Sequence, residues 1–135
     1  MNITVTEVTK RVPITIVEVI GDIDGSNFKD LIAKGSEAVH RGTNAMLLDL
    51  NQVNYVSSAG LLAIQTIAAL LSKETPPDPD AGWQSLHRME GATMSKPALL
   101  KLLNPQPRVQ RALSLVGFDR FIEIYTDREV ALASF

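Results

Sequence analysis

Apolar and polar positions alternate at the start of the chain. Ile3, Val5 and Glu7 alternate with threonines, a period of two that predicts a strand. Arg11 to Ile20 follows with Val12, Ile14, Thr15, Ile16, Val17, Val19 and Ile20. β-Branched side chains fit a pleated surface, so this stretch predicts a second, longer strand. A hairpin through Thr9-Lys10 would pair the two. Pro13 has no N–H to give to a ladder, which predicts an edge position or a bulge there. Gly21-Asp22-Ile23-Asp24-Gly25 is rich in turn formers, and Ser26 is predicted to cap the helix that follows. In that helix Phe28, Leu31, Ile32 and Val39 fall close to one face, with Lys29, Lys34, Glu37 and Arg41 mostly elsewhere. Gly42 is predicted to end it. Asn44 to Leu50 is a short, nearly continuous apolar run, the pattern of a buried parallel strand. Strand, helix and strand make a βαβ unit, for which a right-handed crossover is expected.

A polar loop from Asn51 leads to Ser57-Ser58, and a helix is predicted from there to about Lys73. Between Ala59 and Ser72 only Gln65, Thr66 and Ser72 are polar. A helix apolar nearly all round must be covered on more than one side. The sheet can cover one side. A neighbouring helix, the following insertion or another chain must cover the other. The run Pro76-Pro77-Asp78-Pro79-Asp80-Ala81-Gly82 can neither continue a helix nor join a central strand. A connection as long as 74–95 is uncommon inside a compact domain, so this segment, with Trp83 and Met89, is expected to be a flexible insertion or a functional flap. Pro97 to Leu103 predicts a strand, and Gln106 to Val116 a helix amphipathic through Val109, Ala112, Leu113 and Val116, ending at Gly117. Phe121 to Tyr125 predicts a terminal strand and Arg128 to Ser134 a last turn or two of helix. The pattern predicts one α/β domain over residues 1–135, with a mainly parallel mixed sheet after an N-terminal hairpin and helices packed on it.

Composition narrows the function. A chain of 135 residues suits one core. The formal net charge is −2 and the basic residues are scattered, which argues against nucleic-acid binding. Cysteine is absent, so disulfides and thiolate chemistry are excluded. The N-terminus lacks a basic stretch followed by an apolar one, and the longest apolar run, Ala59 to Leu71, falls short of the roughly 20 residues of a membrane span. A cytoplasmic protein without direct membrane insertion is expected.

Candidate chemistry is sparse. No dinucleotide fingerprint, phosphate-binding loop or nucleophile elbow is present. His40 and His87 are the only histidines, and neither has convergent partners in the sequence. Asp78 and Asp80 are close together, but prolines flank Asp78. No catalytic residue, metal site or cofactor is therefore expected. The informative stretch is Ser57-Ser58-Ala59-Gly60 at the start of a helix. One serine there can cap the helix by accepting from N–H groups two or three residues on. A serine in the same place can also accept a phosphate, because a helix N-terminus carries free N–H donors and partial positive charge.

Three stretches, in order, resemble the STAS domain family of bacterial anti-sigma factor antagonists. Gly21-Asp22-Ile23-Asp24 is similar to the family's loop after the second strand. Leu48 to Leu61 resembles its strand, loop and serine-bearing helix start. Leu113 to Phe121 resembles its final helix and turn. The resemblance spans nearly the whole chain except Glu74 to about Ser95. It implies that Ser58 is the phosphoacceptor. It also implies that Asp22, Asp24, Asn54, Ser57, Ser58, Ala59 and Gly60 form the partner-binding region. Ser57 stands where the family usually has Asp and Ala59 where it has Ser or Thr. The first departure removes a carboxylate beside the acceptor hydroxyl and suggests a different kinase.

The implied function is partner switching. The unmodified domain binds an anti-sigma factor serine kinase, and the kinase, with its own ATP and magnesium, phosphorylates Ser58 and ends the binding. The alternative is an unphosphorylated STAS scaffold or accessory subunit of a stress-sensing or lipid-transport assembly. A homodimer through the apolar second helix or the insertion fits either reading. An enzyme with Ser57-Ser58 as nucleophile would need a base that the sequence does not place.

Overall fold

The structure, a computed structural model, describes residues 1–72 and 99–135. Expectations for the insertion, with Trp83, His87, Met89, Asp78 and Asp80, and for a strand start at Pro97 lie outside the described residues. Among the described residues the five strands are β1 (Asn2–Thr9), β2 (Pro13–Ile20), β3 (Met46–Gln52), β4 (Leu100–Leu103) and β5 (Ile124–Tyr125). The helices are α1 (Phe28–His40), α2 (Ser58–Leu71), α3 (Pro107–Leu115) and α4 (Arg128–Ala133), with a 3-10 turn at Phe118–Arg120. The strands lie side by side in chain order. β1 and β2 are antiparallel, with Val5 opposite Val17, and every later pairing is parallel. The expected mainly parallel mixed sheet after a hairpin is borne out.

Strand alternation divides the interior in two. Val17, Val19, Met46, Leu48, Leu50, Leu100 and Leu102 share one core with Leu31 of α1, Ile64 and Ile67 of α2 and Val109 of α3. The intervening residues Ile14, Ile16, Leu47 and Leu103 pack on the other face against Ala131 and Leu132 of α4. α1 and α2 touch closely at Gly35, where an added Cβ would lie 2.6 Å from Cγ1 of Ile67. α2 is buried without a break from Gly60 to Ala69.

Several expected boundaries move. The hairpin turns at Lys10 to Val12, where the Lys10 N–H donates to the Val12 carbonyl at 3.2 Å, and not at Thr9-Lys10. Pro13 is neither on an edge strand nor in a bulge. It is the first residue of β2, an interior strand, opposite Thr9 at the mouth of the hairpin, where a missing N–H is tolerated. The register shift of β2 falls instead between Glu18 and Ile20, against β3. α1 ends as expected, with Gly42 at φ +99° and its N–H on the Val39 carbonyl at 3.0 Å. α2 ends at Leu71 with Ser72 as its cap.

Candidate functional site

Two loops leave the C-terminal ends of β2 and β3, and a single parallel bridge joins them. The Ile23 N–H donates to the Tyr55 carbonyl at 3.0 Å, and the Ser57 N–H donates to the Ile23 carbonyl at 2.9 Å. Ile23, Val53 and Val56 are buried and anchor both loops to the core. The residues between them, Asp22, Asn54 and Tyr55, are exposed, and Asp24 is half-buried. The bridge therefore sets the Asp24 loop against the start of α2.

Of the two serines, Ser57 is the cap. Its backbone is extended, and its Oγ accepts from the Gly60 N–H at 3.2 Å. Ser58 is the first helical residue, exposed, with a hydroxyl that caps nothing. The first turn of α2 holds no acidic side chain, and the N–H groups of Ser58 and Ala59 have no acceptor among the described residues. Those two donors are the orphans every helix start presents, and here they lie beside a free hydroxyl. Ala59 is half-buried. Gly60 is buried, and a Cβ there would lie 2.7 Å from Val56 Cγ1 and 2.8 Å from the Ile23 carbonyl oxygen. Glycine at this position lets α2 start directly against the bridge.

The Asp24 loop is organised by short-range bonds. Asp24 Oδ1 accepts from the Ser26 N–H at 2.9 Å and from its hydroxyl at 2.5 Å. These bonds, the hydroxyl first, hold the Asp24 carboxyl below the usual carboxylate range; burial opposes the shift and the chain's N-terminal ammonium adds to it. Asn27 Oδ1 accepts from the Asp24 N–H at 2.9 Å, and Asn27 Nδ2 donates to the Asp22 carbonyl at 2.9 Å. The expected Ser26 cap of α1 is thus overturned. The Ser26 hydroxyl is taken by Asp24, and Asn27 holds the cap position, turned back into the loop with no side-chain bond to the helix.

Two contributors were not among the expected site residues. Tyr55 stands 46% exposed between Asn54 and the buried Val56, its only sequence signal being an aromatic ring in a polar loop. Asn51 is tied to the β4–α3 connection by Asn104 Nδ2 on its Oδ1 at 2.8 Å and by Gln106 Nε2 on its carbonyl at 3.0 Å. No sequence pattern pairs positions so far apart. His40 stays outside the site, on the Ser36 carbonyl at 2.8 Å. A cavity of about 680 Å³ lies at the opposite ends of the strands, bordered by Val12, Pro13, Thr43, Leu99 and Phe135, and holds none of the site residues. The Ser58 region is a surface, without a metal-ligating group of three among the described residues. No helix among the described residues is long and apolar enough to cross a membrane.

Comparison with known proteins agrees with this architecture. The family model of the STAS domain matches residues 5–75, just over half of the chain. The chain is similar to BtrV of Bordetella bronchiseptica, which carries the name of an anti-sigma factor antagonist, at 25% identity over 115 residues, covering 85% of this chain and 80% of that protein. Its fold is similar to the solved structure of the anti-sigma factor antagonist SpoIIAA in its unphosphorylated form, with a TM-score of 0.67 at 16% identity, covering 98% of this chain and 96% of that one. It is also similar to the phosphorylated form of the Bacillus cell fate determinant SpoIIAA, with a TM-score of 0.62 at 16% identity, covering 99% and 100%.

Proposed function

The chain belongs to the STAS domain family, and on that premise we propose that it is a non-catalytic anti-sigma factor antagonist switched by phosphorylation at Ser58. In the unmodified state the surface of Asp22, Asp24, Asn54, Ser57 and Ser58 binds an anti-sigma factor serine kinase. The kinase brings its own ATP and magnesium. The Ser58 oxygen attacks the γ-phosphorus, the bond from that phosphorus to the β–γ bridging oxygen breaks, ADP leaves, and the hydroxyl proton passes to a base on the kinase. The observation that carries this reading is the exposed Ser58 hydroxyl beside two orphan N–H groups in a helical turn free of carboxylates. A phosphate there meets donors and a favourable dipole, so the domain can accept it without unfolding. Ser57, standing where the family has Asp, suits this role too. It caps the helix without adding a second negative charge beside the phosphate.

Phosphorylation would add about −1.5 to −2 charge to this surface. A partner that fits the unmodified surface must then take up or desolvate a dianion, and each ~1.4 kcal/mol of mismatch weakens binding about tenfold. The names of the similar proteins support the antagonist reading, and the existence of SpoIIAA in both phosphorylated and unphosphorylated forms supports a fold of this kind surviving the modification. The test is intact mass after incubation with purified anti-sigma factor kinases and ATP. The wild type is expected to gain one phosphate and Ser58→Ala none. Equal modification of Ser58→Ala, or none of the wild type, would overturn the switch.

A further inference from the structure

We propose that Tyr55 is the apolar anchor of this surface and that its ring seats in an apolar pocket of the protein partner; the inference rests on the partner-switching reading and names what the partner must offer. Among the described residues the exposed large apolar side chains are Met1, Val12, Tyr55, Leu99, Leu115 and Val130, and Tyr55 is the only aromatic one. A single exposed apolar residue needs no explanation in itself. Three features set Tyr55 apart.

Its backbone is held. The Tyr55 carbonyl accepts from Ile23, the next residue but one lends its N–H to the Ile23 carbonyl, and Asn51 upstream is tied to Asn104 and Gln106. A ring with two side-chain torsions on a fixed frame costs little entropy to dock. Its neighbours fit a rim: Asp22, Asn54 and Ser58 are exposed and polar, and the adjoining Val53 and Val56 are buried. An exposed amphipathic aromatic residue in a loop of exposed polar residues fits the anatomy of an interface hot spot. Finally, Ser58 follows three positions later, on the same surface. Seating the ring in an apolar pocket excludes water from its surroundings, and a dianion on Ser58 would have to be stripped of water in the same step. The anchor therefore explains how a phosphate that the fold itself tolerates can still end binding.

The experiment titrates the purified anti-sigma factor kinases of the same genome against the full-length chain by calorimetry. Tyr55→Ala is expected to weaken binding by about tenfold or more, and Tyr55→Phe to stay within about twofold of wild type. Tyr55→Gln, which keeps the size and loses the apolar ring, is expected to behave as the alanine variant. It serves as the second variant should alanine disturb the loop. Ser58→Asp is expected to weaken the wild type far more than it weakens Tyr55→Ala, because the apolar seat is already lost in the latter. Tyr55→Ala or Tyr55→Gln binding within about twofold of wild type, or the two losses simply multiplying, would overturn the anchor. Failure of the wild type to bind any of these kinases would overturn the partner-switching reading itself, and the anchor with it.

Discussion

Asp24 owes most of its lowered pKa to one neighbour. Ser26 donates both its hydroxyl and its N–H to the same carboxylate oxygen, and both bonds exist only while the loop is folded. Its folded pKa therefore lies below its unfolded value. The stabilisation this gives is complete above the unfolded value, near pH 4, and is lost as the pH falls through the folded one. At neutral pH the side chain is a fixed negative charge at the edge of the Ser58 surface. An NMR titration of the Asp24 carboxyl is expected to find its midpoint below that of an ordinary aspartate. Ser26→Ala is expected to raise the midpoint while leaving the backbone bond in place. An identical midpoint in the variant would mean that the hydroxyl is not the cause. The swap of roles between Ser26 and Asn27 belongs to this scale as well. Both residue types cap helices, and the local sequence offers both within two positions. The choice is decided by Asp24, whose carboxylate takes the serine hydroxyl first.

At the scale of elements, the contact of α1 with α2 turns on one glycine. Gly35 is buried, and a Cβ would come within 2.6 Å of Ile67 Cγ1 and 2.9 Å of its Cδ1. Gly35→Ala is expected to cost about 1–3 kcal/mol in a urea unfolding curve, despite the better helix propensity of alanine. The same change in an Ile67→Ala background is expected to cost much less, and equal costs in both backgrounds would place the strain elsewhere. This contact was not legible in the sequence, where Gly35 is one small residue on a predicted helix. The elements themselves were legible because their periods are strong. Val17 and Val19 against Ile14 and Ile16, and Met46 to Leu50 as a run broken only by Asp49, mark strands buried on both faces. The helix at Ser58 was legible from its serine pair and its apolar length. What fell short were contacts between distant segments: the Ile23–Val56 bridge, the Asn51–Asn104 pair and the exposure of Tyr55. Local periodicity carries no information about which loops meet.

For the molecule as a whole, the sheet carries different cargo on its two faces and at its two ends. Among the described residues, α1, α2 and α3 pack on one face and α4 is the one helix on the other. The closure is fastened by Lys101, buried on β4, whose ammonium group meets Ser134 O at 3.0 Å, Ser134 Oγ at 2.9 Å and Glu123 Oε2 at 2.7 Å. All three of its protons have acceptors, and the Phe135 ring lies 4.7 Å from the nitrogen. Leu132 of α4 is 3% exposed, so Leu132→Ala is expected to lower stability by about 2–4 kcal/mol. Because the Ser58 surface lies at the C-terminal ends of β2 and β3 and not on the face that α4 covers, kinase binding measured well below the unfolding transition is expected to survive. A variant that stays folded but loses binding would show that α4 shapes that surface.

The bridge between Ile23 and Val56 bears on how such a surface can be inherited or transplanted. Neither loop owns it: the aspartates come from the end of β2, the serines and Tyr55 from the end of β3, and two backbone bonds make them one piece. Residues 54–60 moved alone onto another scaffold would lose the acceptor and donor of Ile23, and Gly60 would face a carbonyl of unmatched position. A lineage that retunes its partner must therefore edit both segments in concert, as a single cassette split across the chain by a helix and a strand.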